Sequence, residues 1–121
     1  MKTIIGIVDY GCGNFNSLKS TLRNINYNCF ESKSIKQLDN ADLLILPGVG
    51  SFSHAAKNLR KSGLDKFLKK IHKKKPILGI CLGMQLFADI GYEKGKNKGL
   101  GIIPGKVEII KEGKFNIGWK I

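Results

Sequence analysis

The chain has 121 residues, of which 42% are hydrophobic and 25% are charged, a composition typical of one soluble globular domain. It contains no apolar run near the roughly 20 residues of a membrane-spanning helix and no signal-peptide pattern at the N-terminus, so we expect a cytoplasmic protein without a membrane partner. The net charge of +12 comes mostly from lysine, because Arg23 and Arg60 are the only arginines, and this favours a solvated lysine surface over a nucleic-acid site.

The cysteines are expected to be reduced thiols. The chain has three cysteines, Cys12, Cys29 and Cys81, and no Cys-x-x-Cys pair. An odd number without close pairs is unlike a disulfide scaffold or a zinc site. We therefore expect no metal site. No cofactor is expected either, since the glycine turns at residues 9–14 and 47–50 give no complete dinucleotide fingerprint. Reduced thiols also leave one cysteine available as a nucleophile.

Short β-branched runs alternate with segments of helical spacing along the chain. This alternation is typical of an α/β fold in which a mostly parallel sheet carries helices on both faces. The first four strands are predicted, in chain order, at residues 3–8, 28–31, 42–46 and 77–80. The third of them is apolar on both faces, as expected for a strand buried within a parallel sheet.

The first predicted helix follows the first strand. Asn14 is expected to act as its N-cap, because asparagine side chains accept hydrogen bonds from the free N–H groups at a helix start. The inner face of this helix is expected to carry Leu18, Leu22 and Ile25, which recur at helical spacing.

Two more helices are predicted between the third and fourth strands. One spans residues 55–61, with Ser51 or Ser53 as its cap, and the other is a strongly amphipathic helix over residues 64–71. Pro76 is expected to end the helical region.

The rest of the chain is predicted to hold a short helix at 82–89, a loop rich in lysine and glycine at 91–101, and a hairpin of strands 107–110 and 115–119. The sequence stops directly after the last strand, with no polar tail. We therefore expect a single domain over residues 1–121 whose C-terminal part is missing.

Residues 79–83 read Gly-Ile-Cys-Leu-Gly, which is the cysteine form of the Gly-x-Ser-x-Gly nucleophile elbow. A buried strand before it and a helix after it are the context that this motif requires. Such a turn holds the Cys81 thiol out of the sheet at the positive end of the helix, which favours the reactive thiolate. The N–H of Leu82 would then point at a developing oxyanion. The alternative is a small buried cysteine between two packing glycines.

Glycine turns at residues 9–14 and 47–50 follow two other strands. The carboxyl ends of parallel strands gather the functional sites of α/β sheets, so the amides of residues 47–50 are expected beside Cys81. The first turn also contains Gly-x-Gly with Glu31 about 20 residues further on, part of a dinucleotide fingerprint. Asn16 replaces the third glycine of that fingerprint, so we favour turns of an active site.

Together these motifs resemble the class I (triad) glutamine amidotransferases, and within them the glutaminase subunits of imidazole glycerol phosphate synthase. The matching segments occur in the family's order at residues 9–14, 46–52, 79–85, 99–105 and 118–119. The resemblance implies a flavodoxin-like fold in which Cys81 attacks the side-chain amide of glutamine. The ammonia released would pass to a (β/α)8-barrel cyclase, the partner in a heterodimer of histidine biosynthesis.

The resemblance also implies roles for other residues. The oxyanion hole would be formed by Leu82 and, after a peptide flip, Val49. Glutamine would be held by Gly48, Gly50 and Gln85. The cyclase would be contacted by Asn14 and Trp119. The alternative for Trp119, which stays open, is a core or hairpin aromatic.

The family's triad also needs a histidine and a glutamate from a later Phe-His-Pro-Glu type of segment, which is not present in these 121 residues. The chain has only His54 and His72, and neither lies in such a segment. We therefore expect it to be inactive as written and marginally stable, with an uncovered sheet edge. Two alternatives stay open: a paralogous amidotransferase that supplies ammonia to a surface-sugar synthase, and a non-catalytic α/β binding remnant.

Overall fold

The structure is a computed structural model that describes residues 2–110. Its central sheet consists of four parallel strands, β1 (Ile4–Val8), β2 (Asn28–Ser32), β3 (Leu43–Leu46) and β4 (Ile77–Gly79). Their order in the sheet is β2-β1-β3-β4, the arrangement of a flavodoxin-like fold. This confirms the predicted α/β class and the positions of all four strands to within two residues.

Helices connect these strands and cover both faces of the sheet. Those in the described segment are α1 (Asn16–Asn24), α2 (Ile35–Asp39), α3 (Phe52–Ser62), α4 (Leu64–Ile71) and α5 (Leu82–Gln85). None of them has the length and apolarity needed to cross a bilayer.

Side-chain alternation along the strands divides the core into two layers. Ile7 of β1 is in register with Ile45 of β3, and both pack with Leu22 of α1 on one face. Leu44 and Leu46 point to the opposite face, where they join the larger apolar cluster that contains the inner sides of α3 and α4. β3 is therefore apolar on both faces because helices pack on both sides of the sheet.

The start and end of α1 differ from the prediction. Phe15, not Asn14, occupies the N-cap position, and no side chain caps this helix. The Asn14 Oδ1 atom instead accepts from the N–H of Asn16 at 3.2 Å, the short-range contact that asparagine favours in turns. The helix ends at Asn24, so Ile25 lies beyond it and is 58% exposed rather than buried.

The later helices also differ from the prediction in their bounds. Ser51 caps α3 by accepting from the N–H of His54, as predicted, but this helix begins at Phe52 rather than at residue 55. The predicted helix at 82–89 is limited to the four residues of α5. The short helix α2 was not predicted.

A second, smaller sheet follows α5, in a region partly predicted as a loop. It consists of β5 (Ile90–Tyr92), β6 (Lys96–Lys98) and β7 (Lys106–Val107), in the order β6-β5-β7. The prediction of a loop over residues 91–101 was therefore wrong, and the predicted strand at 107–110 is limited to β7. The predicted strand at 115–119 lies outside the described residues.

The Asn97 side chain adds hydrogen bonds to the backbone pairing of the β5–β6 hairpin, and no apolar pattern marks its strands. Asn97 Nδ2 lies 3.5 Å from the Gly91 carbonyl, 2.9 Å from that of Glu93 and 3.2 Å from that of Gly95. A polar turn held in this way lacks the hydrophobic alternation by which strands are recognised, which explains the missed strands.

Candidate active site

Cys81 lies between β4 and α5, at the carboxyl end of the parallel sheet. Its backbone has φ 57° and ψ −121°, a conformation that residues with a side chain rarely adopt. A Cβ on Gly83 would lie 1.8 Å from the carbonyl oxygen of Leu46, so the chain after Cys81 packs directly against the end of β3. A strained, exposed cysteine in a tight strand-to-helix turn is the geometry of a nucleophile elbow.

The strain at Cys81 can be measured with two variants that both remove the thiol. Cys81→Ala keeps a Cβ in the strained conformation, whereas Cys81→Gly relieves the strain at an entropic cost of about 0.5–1 kcal/mol. Because such strain costs about 1–3 kcal/mol, we expect Cys81→Gly to be the more stable variant by about 1 kcal/mol in urea unfolding. Greater stability of Cys81→Ala would show that the strain in the turn is smaller than the entropic cost of glycine.

A cavity of about 320 Å³ opens beside Cys81. Its walls come from the turn before α1, from α1 itself, from the loop after β3 and from the end of β4. Four residues that were expected to serve the site line this cavity: Asn14, Gly48, Val49 and Cys81. The sheet therefore brings the three motif loops together, as expected for the carboxyl ends of parallel strands.

The other described residues that were expected to serve the site do not line this cavity. Leu82 is buried directly behind Cys81, whereas Gly50 and Gln85 are exposed. Trp119 lies outside the described residues.

Both N–H groups expected to form the oxyanion hole make their hydrogen bonds through the Gly48–Val49 peptide. Its carbonyl oxygen accepts from the N–H of Leu82 at 3.2 Å, and its N–H donates to the carbonyl of Cys12 at 3.3 Å. Both donors are therefore occupied by backbone acceptors in this conformation. A rotation of this one peptide breaks both hydrogen bonds and releases the Leu82 and Val49 N–H groups together.

Tyr10 lies beneath this peptide and was not singled out in the sequence except as part of the first glycine turn. Its side chain is 5% exposed, and its hydroxyl donates to the carbonyl of Pro47 at 2.6 Å. Burial, with smaller contributions from Cys12 and Cys81, raises the pKa of Tyr10 above its ordinary value. The hydroxyl therefore keeps its proton and remains a hydrogen-bond donor.

Glu93 is a second residue that the sequence did not reveal. Its Oε2 atom accepts from the N–H of Phe52 at 3.0 Å, at the first residue of α3. The hairpin of β5 and β6 thus contacts the helix that follows the Gly48–Val49 loop. A negative charge at a helix start is stabilising, so this contact supports the end of that loop.

The remaining thiols and histidines are placed differently from Cys81. Cys12 is buried, and burial raises the pKa of its thiol, while a hydrogen bond from Asn58 Nδ2 at 3.6 Å partly offsets that rise. Cys29 is half-buried on β2. Neither His54 nor His72 lines the cavity at Cys81.

Comparison with known proteins identifies the class. Residues 7–120 match the family model of glutamine amidotransferase class-I, so the chain belongs to this family. It is 49% identical to the imidazole glycerol phosphate synthase subunit HisH 1 of Campylobacter jejuni (strain RM1221), over 90% of this chain and 55% of that protein. It is 48% identical to subunit HisH of Geobacillus sp. (strain WCH70), over 86% of this chain and 50% of that protein. The chain thus spans about half the length of these curated relatives.

Solved structures share the fold. A crystal structure of a glutamine amidotransferase matches with a TM-score of 0.71 and 21% identity, over 84% of this chain and 54% of that one. A putative peptidase E from Listeria monocytogenes EGD-e matches with a TM-score of 0.67 and 15% identity, over 84% of this chain and 63% of that one.

The dinucleotide alternative is not supported by the fold around Glu31. Its carboxylate, expected to bind a ribose in that alternative, is ion-paired with Lys19 of α1 at 2.8 Å. The family match accounts for the same glycine turn as part of an amidotransferase.

Proposed function

We propose that the chain forms the nucleophile-bearing part of a glutaminase that supplies ammonia to imidazole glycerol phosphate synthesis. The observation that carries the proposal is the geometry at Cys81: an exposed thiol on a strained elbow, beside a cavity and two backbone donors that one peptide rotation releases. The similarity to HisH subunits favours the histidine pathway over a surface-sugar synthase.

The proposed reaction begins with the Cys81 thiolate. Its sulfur attacks the side-chain carbonyl carbon of glutamine, a C–S bond forms, and an electron pair moves onto the carbonyl oxygen. The N–H groups of Leu82 and Val49 stabilise that oxyanion once the peptide has rotated. As the oxyanion collapses, the C–N bond breaks and the nitrogen takes up a proton and leaves as ammonia. Water then hydrolyses the thioester to glutamate and restores the thiol.

Ammonia release needs a general acid and base in addition to the nucleophile. No histidine within residues 2–110 lines the cavity at Cys81. A glutamine analogue whose leaving group needs no proton therefore isolates the step that Cys81 itself carries out. A chloromethyl ketone in place of the carboxamide meets this condition, because the thiolate forms a C–S bond and displaces chloride.

The remaining roles in the proposal are those that the motif resemblance implies. Gly48, Gly50 and Gln85 hold glutamine. Asn14 and Trp119 face a (β/α)8-barrel cyclase, which takes up the ammonia. Support for this arrangement comes from Asn14, which is exposed and lies at the cavity beside Cys81. The cytoplasm is the proposed location, consistent with three free cysteines.

The proposal is tested by treating the chain with the glutamine-like chloroketone and locating the label by peptide mass spectrometry. We expect the label on Cys81, with a rate that saturates with reagent and falls when L-glutamine is added. Cys12→Ser is the matched control and should be labelled like the wild type, whereas Cys81→Ser should not be labelled. Labelling of all three cysteines alike, or labelling that L-glutamine does not slow, would contradict the proposed function.

A further inference from the structure

Tyr10 holds the peptide directly before the one that carries the oxyanion donors. Its hydroxyl donates to the carbonyl of Pro47, which belongs to the Pro47–Gly48 peptide. The next peptide, Gly48–Val49, is the one bonded to both Leu82 and Cys12. Tyr10 does not line the cavity at Cys81, so any effect of its side chain on the site must pass through this loop.

Gly48 is packed tightly against the side chain of Tyr10. A Cβ on Gly48 would lie 2.1 Å from the Tyr10 hydroxyl oxygen and 3.2 Å from the backbone nitrogen of Gly83. Gly48 is therefore wedged between the hydroxyl of Tyr10 and the start of α5. Because the Pro47 carbonyl is held by Tyr10, the backbone torsions that remain free to rotate are the two that flank the Gly48–Val49 peptide.

We propose that Tyr10 is a positioning residue whose hydroxyl fixes the Pro47 carbonyl, so that opening of the oxyanion hole is confined to rotation of the Gly48–Val49 peptide. This inference rests on the proposed function and adds a residue to it. Without the hydroxyl, the rotation spreads over several peptides of the loop, and the Val49 and Leu82 donors are less often presented together. Because the side chain is buried, the lost hydrogen bond is not replaced by bulk water.

The first test compares two reagents on Tyr10→Phe, which removes one oxygen and keeps the ring. The chloroketone has a carbonyl oxygen that the oxyanion hole can hold. Methyl methanethiosulfonate has no carbonyl: the Cys81 thiolate forms an S–S bond with its methylthio group and displaces methanesulfinate. We expect the maximal rate of chloroketone labelling at Cys81 to fall about fivefold, the effect of losing one hydrogen bond, while the methanethiosulfonate rate stays within about twofold of wild type. Tyr92→Phe, which removes the hydroxyl of a residue that is 39% exposed, is the matched control and should leave both rates unchanged. An unchanged chloroketone rate in Tyr10→Phe overturns the proposal.

A second readout does not depend on the proposed function. Amide hydrogen exchange of Val49 and Leu82 reports directly on the two bonds of the Gly48–Val49 peptide. We expect both amides to exchange about fivefold faster in Tyr10→Phe, relative to the amides of β1. If the wild-type chain is not labelled by the chloroketone, the proposed function fails and amide exchange alone decides: faster exchange supports the role of Tyr10, and equal exchange overturns it.

Discussion

Replacement of Gly83 by alanine is expected to cost about 3 kcal/mol or more of unfolding free energy. The new Cβ would lie 1.8 Å from the carbonyl oxygen of Leu46 and 2.6 Å from its carbonyl carbon. These are backbone atoms of β3, and Leu46 is fully buried and in register with Gly79 of β4. Either the sheet or the elbow must shift, and overpacking against immobile backbone is among the most damaging single changes. The loss is a large part of the roughly 5–15 kcal/mol that stabilises a small domain.

Gly63→Ala is the control that separates this collision from the general effect of replacing glycine. Gly63 has a φ of 77°, and a Cβ added there would have no neighbouring atom within 4 Å, so alanine meets conformational strain but no clash. We expect a cost of about 1 kcal/mol for Gly63→Ala. Urea unfolding followed by circular dichroism measures both variants. Equal stability of the two would contradict the close packing of the elbow against β3.

Replacement of Gly48 by alanine is the second large effect. Its Cβ would lie 2.1 Å from the hydroxyl oxygen of the buried Tyr10. We expect a loss of about 2–3 kcal/mol in unfolding free energy, with chloroketone labelling of Cys81 strongly reduced, because the displaced loop carries the Val49 donor. Urea unfolding and labelling rates are measured on the same variant.

The double variant Gly48→Ala, Tyr10→Phe tests the cause of that loss. Removing the hydroxyl removes the nearest colliding atom, so about 1 kcal/mol or more of stability should return relative to the additive expectation. The recovery is partial because Gly83 and Leu82 also lie 3.2 Å from the new Cβ. Stability losses that simply add would show that Tyr10 is not what excludes a side chain at position 48.

The central sheet could be predicted because each of its strands is recognisable from its own short stretch of sequence. Residues 43–46 are four consecutive apolar residues, as expected for a strand that is buried on both faces. The elbow was equally predictable, since Cys81 has glycines on both sides between a strand and a helix. The order of the strands then brings the three glycine turns to one edge, which a general rule of α/β sheets predicts.

The wrong predictions lie in segments whose structure depends on single polar side chains and not on a periodic hydrophobic pattern. The strands β5 and β6 lie in a segment rich in lysine and glycine, and Asn97 adds hydrogen bonds to their hairpin that no hydrophobic pattern reveals. Asparagine is favoured as a helix cap, but Asn14 forms a local turn one residue before the N-cap position of α1. Both cases reflect polar contacts whose partners are decided by the backbone path.

The backbone conformation of the candidate site also could not be predicted from the sequence. A motif predicts which amides surround Cys81, but the orientation of the Gly48–Val49 peptide depends on backbone torsions that glycine leaves free. The contacts of Tyr10 and Glu93 cross from one element to another over long stretches of sequence. No spacing rule connects such partners.

Rotation of the Gly48–Val49 peptide is expected to convert an occupied pair of backbone donors into an oxyanion hole for a molecule bound to Cys81. The crystal structure of the chain alkylated at Cys81 by the glutamine-like chloroketone tests it most directly. We predict the ketone oxygen at about 2.7–3.1 Å from the backbone nitrogens of both Leu82 and Val49, with the Gly48 carbonyl turned away. An adduct whose ketone oxygen faces solvent, while Leu82 still donates to Gly48 at 3.2 Å, would contradict the claim.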